Sequence, residues 1–100
     1  MAEVIWTEPA LADVRRILEF IADDSPRYAA ITADRIMKSV DRLINFPESG
    51  HAVPEFPNSH YRQVLMNPYR VIHRYEPATD CVFILTVVHS RRDIANNDLA

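Results

Sequence analysis

The side chains best equipped for chemistry in this sequence are arginines. Arg62, Arg70 and Arg74 sit in runs rich in β-branched and aromatic residues, and Arg91-Arg92 close the last of them. A guanidinium is a planar fork of donors that matches a carboxylate or a phosphate, so three or more on one face would bind either group well. Residues an even number apart share a strand face, so Arg70 and Arg74 are expected to point the same way. Arg62 joins them only if its hairpin pairs residues of equal parity, and the register is not fixed by the sequence. Each cation also has a structural reading, as the partner of Glu76, Asp80 or Asp93; for Arg92, next to Asp93, that reading is preferred. His89, at a strand end, can act as general acid or base near neutral pH or serve as a hydrogen-bonded structural residue.

Other chemistries find little footing. His51, His60, His73 and His89 lack ligand-pair spacing, and no carboxylate joins them in a metal-binding pattern, so no metal is expected. Ser90 and Cys81 lack a nucleophile motif, and Cys81 lies in an apolar run that reads as a buried structural thiol. A single glycine rules out a glycine-rich phosphate loop, and no cofactor is expected. Net charge is −3, unevenly spread: residues 1–60 hold 6 basic and 10 acidic side chains, residues 61–100 hold 5 and 4. Proteins that grip nucleic acid through its phosphates carry a clear basic excess, so this balance argues against unaided DNA or RNA binding.

The elements that must position these residues follow from periodicity. With 100 residues, 48% apolar and 25% charged, the chain reads as one globular domain over residues 1–100. Glu3–Thr7 favours a strand. Thr7-Glu8-Pro9 then starts a helix, with Thr7 as N-cap and Pro9 where a missing N–H does no harm. Leu11, Val14, Ile17, Leu18 and Ile21 follow at helical spacing as far as Asp23-Asp24. Ser25-Pro26 restarts a helix at once, with an apolar stripe of Ala29, Ala33, Ile36, Met37, Val40, Leu43 and Ile44 that stops at Asn45-Phe46-Pro47. So short a link makes the two helices an antiparallel hairpin. Residues 47–60, with three prolines and the only glycine, read as loop. Strands are expected at Tyr61–Met66, Tyr69–Tyr75 and Cys81–Val88, the last the most buried, with a polar tail from Ile94 that frays or forms one helical turn. The result is an α+β domain, ordered β-α-α-β-β-β: an N-terminal strand at the sheet edge and a helical hairpin packed on a C-terminal antiparallel meander. Ile72 opposes Tyr69, Val71 and Tyr75, so the second sheet face is only partly polar and needs a cover. No run of about 18 apolar residues crosses a membrane. The opening MAEVIWTEP lacks a signal-peptide layout, so a cytoplasmic location is expected.

Tyr69-Arg70-Val71-Ile72-His73-Arg74-Tyr75, the apolar strand after it, and Val88-His89-Ser90-Arg91-Arg92-Asp93 together resemble the RelE/ParE superfamily of toxins from type II toxin–antitoxin systems. Trp6, Ala10, Leu11, Asp13, Ile17, Ile21, Leu43-Ile44, Phe46-Pro47 and Gly50 fit in the same order, so the likeness spans almost the whole chain. RelE-like members of the superfamily are ribosome-dependent mRNA endonucleases, and Arg62, Arg70 and Arg91, with His89, match positions of their cleft. Their late Tyr falls near Asn96-Asn97 here, and their lysine-rich surface is absent. ParE-like members poison DNA gyrase without catalysis of their own. The His89-x-Arg91-Arg92-Asp93 ending and the hairpin are closer to that branch. The resemblance therefore implies a gyrase-directed toxin with Arg70, Arg74, His89, Arg91 and Arg92 toward the target, the ribosome with mRNA being the alternative. It also implies a cognate antitoxin covering apolar surface that includes Leu18, Ile21, Ile36, Tyr69 and Val71, a toxin–antitoxin hetero-oligomer, and contact with DNA only through that antitoxin.

Overall fold

The computed structural model describes residues 1–99. Strand β1 (Glu3–Trp6) leads into helices α1 (Glu8–Asp24) and α2 (Pro26–Ser39); strands β2 (His51–Ala52), β3 (Tyr61–Met66), β4 (Tyr69–Glu76) and β5 (Cys81–His89) follow, and a 3-10 turn, Asn96–Leu99, ends the chain. The strands form one sheet ordered β1-β5-β4-β3-β2. β1 is the expected edge strand and runs parallel to β5, while all other neighbours are antiparallel. The α+β order is as the periodicity indicates, with the two-residue β2 added from within the proline-rich loop.

Both helix starts use the residues that mark them. The Ala10 N–H donates to Thr7 Oγ1 at 3.4 Å, and Pro9 sits in the first turn. Ser25 closes one helix and opens the next: its N–H donates to the Ile21 carbonyl at 2.9 Å, and its hydroxyl accepts from the Tyr28 N–H at 3.1 Å. One residue doing both jobs reverses the chain without a loop. The second helix is shorter than its stripe suggests. It ends at Ser39, whose hydroxyl donates to the Ile36 carbonyl at 2.6 Å, and Asp41–Ile44 continues as a 3-10 turn. Leu43 is fully buried, whereas Met37, counted in the stripe, is 47% exposed.

Two apolar clusters lie on opposite faces of the sheet. Ala10, Val40, Leu43, Val64, Val71, Val82, Ile84 and Val87 fill the space under the helices. Val53, Ile72, Leu85, Val88, Ile94 and Leu99 fill the other side, with Phe56, Tyr61 and Phe83 against them. The second face is thus covered by the chain itself, by loop residues 53–56 and the tail, which forms the expected single helical turn but is not wholly polar, since Ile94 and Leu99 are buried. Cys81 is half-exposed at the start of β5, so the expectation of a buried thiol is corrected.

β5 carries one residue too many. Ile72 pairs with Thr86 and His73 with Ile84, which leaves Leu85 without a partner on β4. On its other side β5 outruns β1, which pairs with it only as far as Ile84, and Thr7 and α1 take up the backbone groups left there. The Thr7 hydroxyl donates to the Ile84 carbonyl at 2.7 Å, and one Asp13 carboxylate oxygen accepts from the Val87 N–H at 3.0 Å and from the Thr86 hydroxyl.

The loop before β3 is pinned by Gly50. Its φ is +107°, and a Cβ there would stand 2.6 Å from the Gln63 carbonyl oxygen. Both the backbone angle and the contact with rigid main chain oppose a side chain. Gly50→Ala is expected to cost about 1–3 kcal/mol, read as a lower urea midpoint with an unchanged denaturant slope.

Candidate target-binding site

The five arginines of the sheet do not form one array. Arg62 pairs across the ladder with His73, which places it on the helix side, opposite Arg70 and Arg74. Arg70 and Arg74 do share the outer face, at opposite ends of β4.

Arg70 is 5% exposed, so the expectation that it meets a target is corrected. Its guanidinium grips both oxygens of Glu55, one of them at 2.8 Å, and also donates to Gln63 Oε1 at 3.1 Å and to the Arg92 carbonyl. Glu55 accepts in addition from the Ile94 N–H at 2.9 Å. Loop, strand and tail are therefore tied at one buried point. The Arg70 hydrogen bond holds the Glu55 carboxyl down at about 2, well below the usual carboxylate range, and Glu55 in turn raises the pKa of Arg70. A buried charge persists only when paired in this way.

Around that clamp the chain end projects outward. His89, Ser90, Arg91, Arg92 and Asp93 are all exposed. The Arg91 N–H donates to His89 Nδ1 at 3.2 Å, so the neutral ring carries its proton on Nε2. Tyr69 stacks edge-on against the His89 ring, with centroids 6.0 Å apart. Arg91 has no carboxylate partner among the described residues. Arg92 reaches Asp98, not Asp93, and only at 3.6 Å. Arg74 lies over the Phe83 ring, its guanidinium carbon 4.9 Å from the centroid, and has no ion pair among the described residues.

Of the five residues expected under the antitoxin, Ile36 and Val71 are fully buried beneath the hairpin and cannot be reached, which corrects both. Leu18, Ile21 and Tyr69 are partly exposed. Ile21 and Tyr69 come together with Tyr28, Arg35 and Met66 around a shallow depression of about 90 Å³ between the hairpin and the β3–β4 turn. Sequence reasoning missed the outward apolar residues of the hairpin: Phe20 is 78% exposed, with Leu11, Tyr28, Ile31 and Met37 also at the surface. Phe20 and Ile31 fall outside the buried stripes, which is the signal that marks them. It also missed Glu55, which has no periodicity around it, and Asp13, an acid within an otherwise apolar helical stripe.

A family model described as the ParE toxin of type II toxin–antitoxin system, parDE, matches residues 4–94. This chain belongs to the ParE toxin family. It is 35% identical over 92 residues, 92% of this chain and 99% of the relative, to Toxin RelE2 of Caulobacter vibrioides. Three solved structures share the fold. The chromosomal ParDE toxin–antitoxin system of P. aeruginosa gives a TM-score of 0.73 at 19% identity, covering 89% of this chain and 96% of that one. The intact E. coli RelBE toxin–antitoxin complex gives 0.61 at 13% identity, covering 92% and 100%. The RelBE2 complex of Mycobacterium tuberculosis gives 0.57 at 19% identity, covering 88% and 96%. The RelE and ParE names thus meet on one architecture, so the ParE-family toxin described here must be assigned its target from the site, not from the fold. Among the described residues no helix is long and apolar enough to cross a membrane, and no cluster of His, Cys, Asp and Glu could hold a metal.

Proposed function

We propose that this toxin binds DNA gyrase and traps it on DNA without catalysis of its own, and that a cognate antitoxin neutralises it. The observation that carries the gyrase reading is the commitment of Arg70. Cleaving a phosphodiester requires donors aimed at the charge that develops on phosphorus-bound oxygens. The buried arginine of the outer face is spent on Glu55, Gln63 and the Arg92 carbonyl. Arg62 is on the other face, and the resemblance to RelE-like toxins puts Asn96-Asn97 near the position of their proton-transferring Tyr. What remains exposed is His89, Arg91 and Arg92 on a chain end anchored by the clamp, a surface suited to docking on a protein. The net charge of −3 agrees, because a protein target demands no basic excess.

The antitoxin reading rests on the hairpin. The similar solved structures are described as toxin–antitoxin systems or complexes. Phe20, Ile31 and Met37, with partly exposed Leu18 and with Ile21 and Tyr69 at the shallow depression, present the apolar anchors that an amphipathic partner segment requires.

The alternative, a ribosome-dependent mRNA endonuclease, is favoured by the RelE name of the 35% identical relative. Purified chain, gyrase and plasmid separate the two readings. The gyrase reading expects loss of supercoiling and accumulation of covalent gyrase–DNA complexes. Rapid translation arrest with cut mRNA and intact gyrase activity would replace it with the nuclease. Arg91→Ala is expected to weaken the gyrase effect about 5- to 30-fold, the ordinary range for truncating a central interface arginine, while Arg35→Ala on the hairpin leaves it unchanged. Equal potency of the two variants refutes the role of the chain end.

A further inference from the structure

The opposite end of the sheet, roughly 20 Å along β4 from His89, carries a second surface that the toxin reading leaves unused. A cleft of about 440 Å³ opens there between Pro47-Glu48, the start of β3 and the β4–β5 turn, with Arg62 and Arg74 on its walls. These two arginines project from opposite faces of the sheet, and both line the cleft at its end; Arg74 does so from over the Phe83 ring. Both are partly buried, and neither has a carboxylate partner among the described residues. Glu76, also on the wall, holds the Thr79 hydroxyl at 3.0 Å, and the Tyr75 hydroxyl is spent on Asp80 at 2.7 Å, so neither group turns to the guanidiniums. Arg62 is also felt inside the fold: burial first, then Arg42 and Arg62, lower the pKa of His73 to about 4.

Beside the cleft stands Phe46, 66% exposed. Its backbone is not loose. The Phe46 N–H donates to the Arg42 carbonyl at 2.9 Å, and its own carbonyl accepts from the Ser49 N–H at 3.0 Å. The ring forms, with Pro47 and Glu48, an open apolar shelf of about 450 Å³. Pro47 and Glu48 line both shelf and cleft, so the two are one continuous surface. An exposed aromatic on a hydrogen-bonded backbone, next to arginines without ion pairs among the described residues, has the composition of an interface hot spot.

We propose that this sheet end is a second docking surface, for a partner polypeptide that presents a carboxylate to Arg62 and Arg74 beside an apolar side chain on Phe46 and Pro47. A polypeptide fits better than a nucleic acid. Glu48 and Glu76 flank the arginines, so a chain of phosphates would meet two repulsions for its two attractions. A single carboxylate flanked by basic residues sets its own charge on the arginines and its flanking cations against the two glutamates.

The test uses the isotope-labelled full chain and the peptide Ac-Lys-Leu-Glu-Leu-Lys-amide, followed by NMR at the arginine Nε–H groups and backbone amides. Saturable shifts are expected at Arg62, Arg74 and residues 46–48, with none at 89–93. The peptide with Gln for Glu should bind about tenfold more weakly or worse, the usual effect of losing a charge-assisted contact. Arg62→Gln should do the same to the original peptide. Because Arg74 also stacks on Phe83, Phe46→Ala is the second variant: it leaves every arginine contact in place and should still weaken binding severalfold. Absence of saturable shifts, equal binding of the Gln peptide, or full binding by both variants overturns the proposal. So does tighter binding of a phosphorylated dinucleotide at the same arginines, or a peptide-independent shift there on dilution, which would mark a second copy of the chain as the occupant. None of these outcomes depends on whether gyrase is the target.

Discussion

Replacing Glu55 by alanine should lower the unfolding free energy by about 3–5 kcal/mol, the range for breaking a buried ion pair from one side, and should drop the Tm by more than about 12 °C in a domain of this size. The cost is not that of a lost attraction alone. Arg70, with only 6% of its side chain exposed, would keep its charge and lose the carboxylate that compensates it. The Ile94 N–H would lose its acceptor as well. Glu55→Gln keeps one carbonyl acceptor and should fall between wild type and alanine. Acid titration reads the same clamp. The Glu55 carboxyl goes from its ordinary 4.5 down to about 2 on folding, so its contribution is full above 4.5 and is lost as pH falls toward 2. The shift corresponds to about 3 kcal/mol. His73 behaves in the same direction at higher pH. Burial, then Arg42 and Arg62, bring it from 6.5 to about 4, so its contribution is full above 6.5 and fades as pH falls through that window. Wild-type stability should therefore decline in two stages on acidification. In Glu55→Ala the lower stage should shrink while the upper one remains; equal loss of both stages, or a Tm within a few degrees of wild type, would show that the clamp does not hold the tail.

The elements were legible in the sequence because their signals are local. Thr7 with Pro9 and Ser25 with Pro26 announce both helix starts within three residues, and the β-branched run from Cys81 can only be a buried strand. The site was legible only in part because its decisive contacts join residues with no local relation. Arg70 and Glu55 are fifteen apart across a proline-rich loop whose path no periodicity encodes. The side of the sheet that Arg62 occupies depends on one unit of register, fixed by its pairing with His73. The cover of the second face was written as isolated apolar residues, Val53, Phe56, Ile94 and Leu99, each too far from its neighbours to form a pattern. The exposed end at His89–Asp93 was readable because a strand end followed by two cations and an acid has nowhere to pack.

The other large effect belongs to Asp13. Asp13→Ala should destabilise the fold by about 2–4 kcal/mol, since each buried donor left without an acceptor costs about 1–3 kcal/mol. The carboxylate is 8% exposed as a residue and lies on the face of α1 that meets β5. One oxygen takes the Val87 N–H and the Thr86 hydroxyl, the other the Arg16 guanidinium. The end of β1 is what creates the need, because that strand pairs with β5 only as far as Ile84 and leaves the Val87 N–H with no strand beside it on that edge. An asparagine can keep one oxygen on both the Val87 N–H and the Thr86 hydroxyl and gives up only the contact with Arg16, so Asp13→Asn should cost only about 1 kcal/mol, most of it the charge-assisted part of the contacts. Arg16 is largely exposed, with 66% of its side chain in solvent, and Arg16→Ala should shift stability by less than about 1 kcal/mol. That ordering, alanine far above asparagine and asparagine near the arginine variant, distinguishes a carboxylate that completes a sheet edge from one held by its ion pair. Hydrogen exchange localises it: in Asp13→Ala the amides of Val87 and Val88 should lose protection ahead of those in β3 and β4. If they exchange together with the whole sheet, or if Asp13→Asn is as damaging as alanine, the helix is not docked through the Asp13 oxygen.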